Sequence, residues 1–279
     1  MNRQIYLDYN ATAPLKGEVI EAVRAALERT GNPSSVHGFG REARRALERA
    51  RAAVAAMVGA APSQVVFTSG GTEANNQALC GSPGGVVVSA VEHDSVLAAV
   101  PDAERAVVDR EGRVDLARLD HQLGRAAPAL VSVMLANNET GVVQPVREVV
   151  EVARRHGARV HCDAVQAGGK LPIDMAALGV DFLTLSAHKF GGPQGVGALV
   201  VGVGIEPAAL LRGGGQERRW RPGTENLAGI VGFGRACELA MADTGWRRRT
   251  DALRDRLEEE IKAIAPAARV FGRGAERLS

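Results

Sequence analysis

The sequence predicts an α/β fold, a mainly parallel sheet sandwiched by helices. Short β-rich runs alternate with helical patterns along most of the chain, and the runs are apolar on both faces. Small residues and turn formers stand where one element gives way to the next.

Taken in order, "GEVIEAVRAALERTG" (17–31) and "REARRALERARAAVAAMVG" (41–59) carry apolar residues at helical spacing and stop on glycine. Strand-like runs come next at 64–68, 85–90, 105–109, 129–135, 158–163, 181–186 and 196–202. Helical patterns such as 115–124 and 145–156 separate most of them. A glycine-rich connection at 212–224 leads to two further helices, near 225–243 and 246–264, and then to the short run "ARVFG". These shifts suggest an N-terminal segment (1–15), a large domain (16–243) and the start of a small C-terminal domain (244–279).

Composition narrows the function classes. The 279 residues suffice for a large core, and 46% hydrophobic with 24% charged residues is ordinary for a soluble globular protein. A net charge of +2 gives no signal for nucleic acid or a membrane surface, and no apolar run is long enough to span a bilayer. The first twenty residues lack a secretory pattern. Three widely spaced cysteines (Cys80, Cys162, Cys237) argue against a disulfide framework or a metal site, so a reducing cytoplasm is expected.

Ligands of such sheets bind beyond the carboxyl ends of the strands, so the residues after each run matter most. After 64–68 comes "SGGTEANN", where Gly71 and Thr72 at a helix start suit a phosphate or simply form a helix cap. "VEHDS" places His93, and "ANNETG" places Asn138, each at a turn where a structural role would also serve. Asp163 ends its run with Gln166 three residues on, as a helix cap or as part of a site. After 181–186 comes "SAHK", Ser186 to Lys189. The chain has four lysines, and Lys16, Lys170 and Lys262 have bland settings. Only Lys189 is delivered by an apolar strand among candidate phosphate ligands, where desolvation would expose a nucleophilic amine. Together, a phosphate cradle, an aromatic ring for stacking, a strand-end acid and a strand-end lysine match the needs of pyridoxal phosphate.

The chain closely resembles the cysteine desulfurases, pyridoxal-phosphate enzymes of fold type I among the class V aminotransferases. The resemblance runs through "YLDYNATAP", "GNPSSVHGFGREAR", "VVFTSGGTEANN", "VEHDSV", "NNETGVVQP", "HCDAVQAGGKLPID", "LSAHKFGGPQGVGAL" and "LRGGGQERRWRPGTENLAGIVGFG", covering essentially the whole chain. It implies that Lys189 forms the Schiff base, Asp163 pairs with the pyridine nitrogen and His93 stacks on the ring. Gln166 and Asn138 would meet the ring hydroxyl region, while Gly71, Thr72, Ser186 and His188 hold the phosphate. Thr224 would reach the phosphate of a second subunit, which implies a homodimer with shared active sites. The implied reaction takes sulfur from L-cysteine, leaves L-alanine and an enzyme persulfide, and feeds an acceptor such as an iron–sulfur scaffold.

One departure stands against the family pattern. The nucleophilic cysteine of the family lies in a loop of the small domain, and the sequence ends at "VFGRGAERLS", before such a loop. The chain is therefore expected to be truncated, with a lone strand at 268–272 opening the incomplete domain. Selenocysteine lyase, an aminotransferase, or a cofactor-binding scaffold without sulfur chemistry are the alternatives.

Overall fold

The computed structural model describes residues 4–80, 82 and 84–279. Two helices, α1 (Gly17–Leu27) and α2 (Gly38–Met57), precede a sheet whose strands alternate with helices. In chain order these are β1 (Val65–Thr68), α3 (Gly71–Cys80), β2 (Val86–Ser89), α4 (Asp94–Leu97), β3 (Glu104–Ala106) and α5 (Leu116–Ala126). Next come β4 (Leu130–Ser132), α6 (Val146–Arg155), β5 (Arg159–Asp163), α7 (Met175–Leu178), β6 (Phe182–Ser186) and β7 (Gly197–Val201). The helices α8 (Leu227–Ala242) and α9 (Trp246–Ile264) complete the regular structure. All seven expected strands form, each within a few residues of its expected bounds.

The strand order is β1-β7-β6-β5-β4-β2-β3. Neighbouring strands from β6 through β3 run parallel, whereas β7 is antiparallel to both β6 and β1. Alternate residues of one strand enter different cores: Val65 and Phe67 join one cluster and Val66 the other. The first is closed by α2, α6 and α8, the second by α3 and Val96 of α4. Burial on both faces explains the nearly continuous apolar runs of the sequence. Side-chain caps fix several entries: Asp115 accepts from Arg118 N at 3.1 Å, and Asn226 from Gly229 N at 3.1 Å.

Edge strand β1 is covered by the glycine-rich connection. Arg51 donates to Glu217 through two nitrogens (2.8 and 2.6 Å), and Glu217 accepts from Phe67 N at 2.9 Å. Arg51 and Arg218 both donate to Val65 O, so the edge's free groups are occupied and shielded from other chains.

The run 268–272 is not a strand: it is irregular and then turns, and Phe271 is 72% exposed. Among the described residues no strand pairs with it, whereas the last residues make an isolated bridge to the segment after β4. Arg277 bridges Val142 antiparallel, and Leu278 N donates to Gly141 O at 2.8 Å. Among the described residues no helix is long and apolar enough to cross a membrane.

Candidate active site

Parallel strands β1, β2, β4, β5 and β6 end on one side of the sheet, and the segments leaving those ends converge there. A cavity of about 260 Å³ is lined by Gly71, Thr72, His93, Asn138, Asp163, Gln166, Ser186, His188 and Lys189, together with residues such as Asn75, Ser95 and Val165. Nine of the ten expected site residues thus meet in one place. Thr224 does not; it lines a separate cavity of about 190 Å³ with Thr68, Ser69 and Arg221.

At one end of the cavity, α3 starts. Its amides at Gly71 and Thr72 precede the bond from Ala74 N to Gly70 O (3.2 Å), so they remain available to an anion. A Cβ at Gly71 would come within 2.7 Å of Val165 Cγ2, so only glycine lets the helix approach this closely. Ser186 and His188 face the same region from the end of β6. His188 Nδ1 lies 3.1 Å from Thr12 Oγ1, and burial, then the charge of Lys189, lowers its pKa.

At the floor, Asp163 is 5% exposed. Its Oδ1 accepts from Val165 N (2.9 Å) and its Oδ2 from Asn75 Nδ2 (2.7 Å). Burial raises its pKa, while those two hydrogen bonds and the more distant His93 and Lys189 pull it back. Asn75 also donates to Ser95 Oγ at 2.9 Å, and its own Oδ1 is buried without a partner. His93 accepts from Ser95 N through Nδ1 at 3.0 Å, which leaves Nε2 to carry the proton of a neutral ring. Asn138 donates to Glu139 Oε1 at 2.9 Å at the cavity rim.

Lys189 sits in a short 3-10 turn (Ala187–Phe190) that Gly191 closes at φ 87°, a left-handed value that glycine adopts freely. Its Nζ donates to Asn10 O at 2.9 Å. Half-burial lowers its pKa, with Asp163 and Asp8 opposing. Asn75 and two further participants were not singled out by sequence reasoning. Asn10 arrives from the N-terminal segment, within "YNATAP". Lys170, whose setting reads as a bland loop, is 9% exposed and donates to Asn10 Oδ1 (2.9 Å) and Gln166 Oε1 (3.1 Å).

None of the three cysteines lines this cavity. Cys162 and Cys237 are fully buried, and burial raises both thiols well above their ordinary pKa. Cys80 is exposed at the far end of α3.

Residues 5–278 match the aminotransferase class-V family model. The chain belongs to the class-V aminotransferase family. Within that family it is 49% identical over 292 residues to the cysteine desulfurase of Cereibacter sphaeroides, covering 99% of this chain and 74% of that protein. It is 45% identical over 294 residues to the cysteine desulfurase IscS of Dictyoglomus turgidum, covering 100% of this chain and 74% of the relative. Among solved structures, the NifS-like protein of Rickettsia africae superposes with a TM-score of 0.94 at 36% identity, over 99% of this chain and 79% of that one. SspA in complex with cysteine is similar at TM-score 0.80 and 33% identity, over 84% and 72% of the two chains.

Class-V aminotransferases use pyridoxal phosphate, and the cavity fits it. The open amides beside Gly71 suit its phosphate, and the buried Asp163, held by hydrogen bonds without an ion-pair partner, suits a protonated ring nitrogen. The Lys189 amine suits its aldehyde carbon.

Proposed function

We propose that the chain is a pyridoxal-phosphate-dependent cysteine desulfurase that removes sulfur from L-cysteine. One observation carries the reading: the strand-end amine Lys189 and the strand-end carboxylate Asp163 share a cavity closed by the start of α3. Relatives at 45–49% identity named cysteine desulfurase support the substrate assignment.

In this reading Lys189 Nζ would hold the cofactor at its aldehyde carbon and would move a proton at the substrate's α-carbon. Its lowered pKa keeps more of the amine neutral and nucleophilic at a given pH. Asp163 keeps a proton on the ring nitrogen, and the bound ring then supplies an acceptor for the electrons released at the substrate carbon. The exposed His93 ring covers one face, and the amides of Gly71 and Thr72 with Ser186 and His188 hold the phosphate. Gln166 and Asn138, both on the cavity lining, would meet the ring hydroxyl region. Thr224, outside this cavity, serves the phosphate of a partner copy in a homodimer. Residues 16–243 then form the cofactor domain and 244–279 belong to a smaller one, with an iron–sulfur scaffold as a fitting sulfur acceptor.

A second reading has its own observation, the absence of a cysteine from the cavity lining. A chain that binds cofactor and cysteine without transferring sulfur would look the same at Asp163 and Lys189. Loading the protein with pyridoxal phosphate and adding L-cysteine separates the two. Desulfurase activity yields L-alanine and sulfide under reducing conditions. A spectral response to cysteine with no alanine supports binding alone. Lys189→Ala should abolish the visible absorption of the lysine-bound cofactor, and a persisting band would overturn the assignment.

A further inference from the structure

Lys170 is an ammonium in an expensive place. It is 9% exposed, and both its acceptors are neutral amide oxygens, Asn10 Oδ1 and Gln166 Oε1. Burial, and then the charge of Lys189, pushes its pKa down to about 8. A buried cation without a carboxylate costs stability, so an apolar residue of similar length would fold the loop more cheaply.

The contacts form a closed ring. Lys170 Nζ donates to Gln166 Oε1; Gln166 Nε2 donates to Asn10 O at 3.0 Å; Lys189 Nζ donates to the same Asn10 O at 2.9 Å; and Lys170 donates to the Asn10 side chain. A glutamine amide can turn over and exchange donor for acceptor. With its oxygen tied to an ammonium and one N–H given to Asn10 O, Gln166 has only its second N–H left for other partners.

We propose that Lys170 is a positioning residue that locks the Gln166 amide with its donor end towards the cavity and steadies Asn10 beneath the Lys189 amine. The proposal rests on the cofactor reading above, in which Gln166 meets the oxygen of the cofactor ring. A fixed donor there favours the anionic oxygen and weakens the hold of the adjoining nitrogen on its proton. Titratable groups around the Lys189 amine are Asp163 from the end of β5, Asp8 from the N-terminal segment, His93 on the cavity lining, His188 beside it, and Lys170 itself. Only Lys170 also grips Gln166.

The test is the pH midpoint of the visible absorption of the pyridoxal-phosphate-loaded chain, a readout independent of turnover. Lys170→Met should raise the midpoint by roughly one pH unit, tenfold in proton affinity. Lys170→Arg, which keeps charge and donors, should return it most of the way. Gln166→Leu should raise it similarly, and adding Lys170→Met to that variant should then add little, because the two act through one contact. An unmoved midpoint in Lys170→Met, or a full additional shift in the double variant, overturns the proposal. If the methionine variant does not fold, Lys170→Gln, which is shorter and uncharged, gives the same readout. Lys189→Ala run alongside keeps the outcomes apart: a band that survives in it refutes the cofactor reading and not the Lys170 contact.

Discussion

Asn75 Nδ2 lies 2.7 Å from Asp163 Oδ2, joining the middle of α3 to the end of β5 at the floor of the cavity. The same amide reaches Ser95 Oγ at 2.9 Å, and that serine's amide is bound by His93. One side chain thus links the acid, the ring that covers the cavity, and the helix whose start faces the phosphate region. Asn75→Ala removes a donor from a buried carboxylate and should cost about 2 kcal/mol of stability. It should also weaken pyridoxal-phosphate binding by roughly tenfold, since Asp163 loses its orientation. Urea unfolding and a cofactor titration check both effects, and wild-type values in both would refute this role.

Glu92 sets a pH signature. It is 6% exposed; its Oε1 accepts from Ser89 Oγ (2.5 Å) and Met134 N (2.7 Å), and Oε2 has no partner. Burial, helped by the charge of Asp163, raises its pKa from 4.5 to about 8. A carboxyl raised in the folded state favours folding at low pH and loses that contribution as pH climbs to the folded value. Glu92→Gln, which cannot ionise, should therefore gain on the wild type between about pH 4.5 and 8, by up to ~1.4 kcal/mol per pH unit. Unfolding free energies of both proteins at pH 5, 6.5 and 8 (about those values) give the slope. A constant difference would show that Glu92 ionises normally.

The Arg51–Glu217 pair is the buried clasp over β1, with side chains 4% and 1% exposed. Glu217, Arg218 and Arg219 hold it with φ of 45°, 58° and 68°, three successive non-glycine residues in the left-handed region. That backbone costs energy, and the clasp must offset it. Arg51→Met alone strands the Glu217 carboxylate and should cost roughly 3–5 kcal/mol, while Arg51→Met with Glu217→Leu should recover much of the loss. Equal destabilisation of single and double variants would show that the pair carries no coupling.

Much of this was legible in the sequence, for physical reasons that also mark the limit. The strands announced themselves because both faces are buried, as in β6, where five successive residues are inside. Asp163 and Lys189 stood out because strand ends are where such sheets bind ligands. Lys170 did not, because nothing in "GGKLP" reveals that Asn10, 160 residues earlier, lies beside it. Asn75 was hidden as one of two adjacent asparagines on a helix; only the approach of α3 to β5 selects it over Asn76. The run at 268–272 misled because a β-rich composition says nothing about whether a partner strand is at hand.

The start of α3 offers a test with its control built in. Gly70 and Gly71 are adjacent, and neither has the positive φ that would exclude a side chain on backbone grounds. Around Gly70 a Cβ would meet nothing within 4 Å, whereas at Gly71 it would press on Val165 Cγ2 at 2.7 Å and Ser186 Cβ at 3.6 Å. Gly71→Ala must therefore push α3 away from β6 or displace Val165, an overpacking cost of about 1–3 kcal/mol. Either movement shifts the amides of Gly71 and Thr72 relative to Ser186, the groups assigned to the phosphate. Pyridoxal phosphate should bind Gly71→Ala at least about tenfold more weakly, while pyridoxal without the phosphate loses less. Gly70→Ala should bind both as the wild type does. Equal losses for the two ligands in Gly71→Ala would place the phosphate elsewhere, because a displaced helix start penalises only a ligand that uses it.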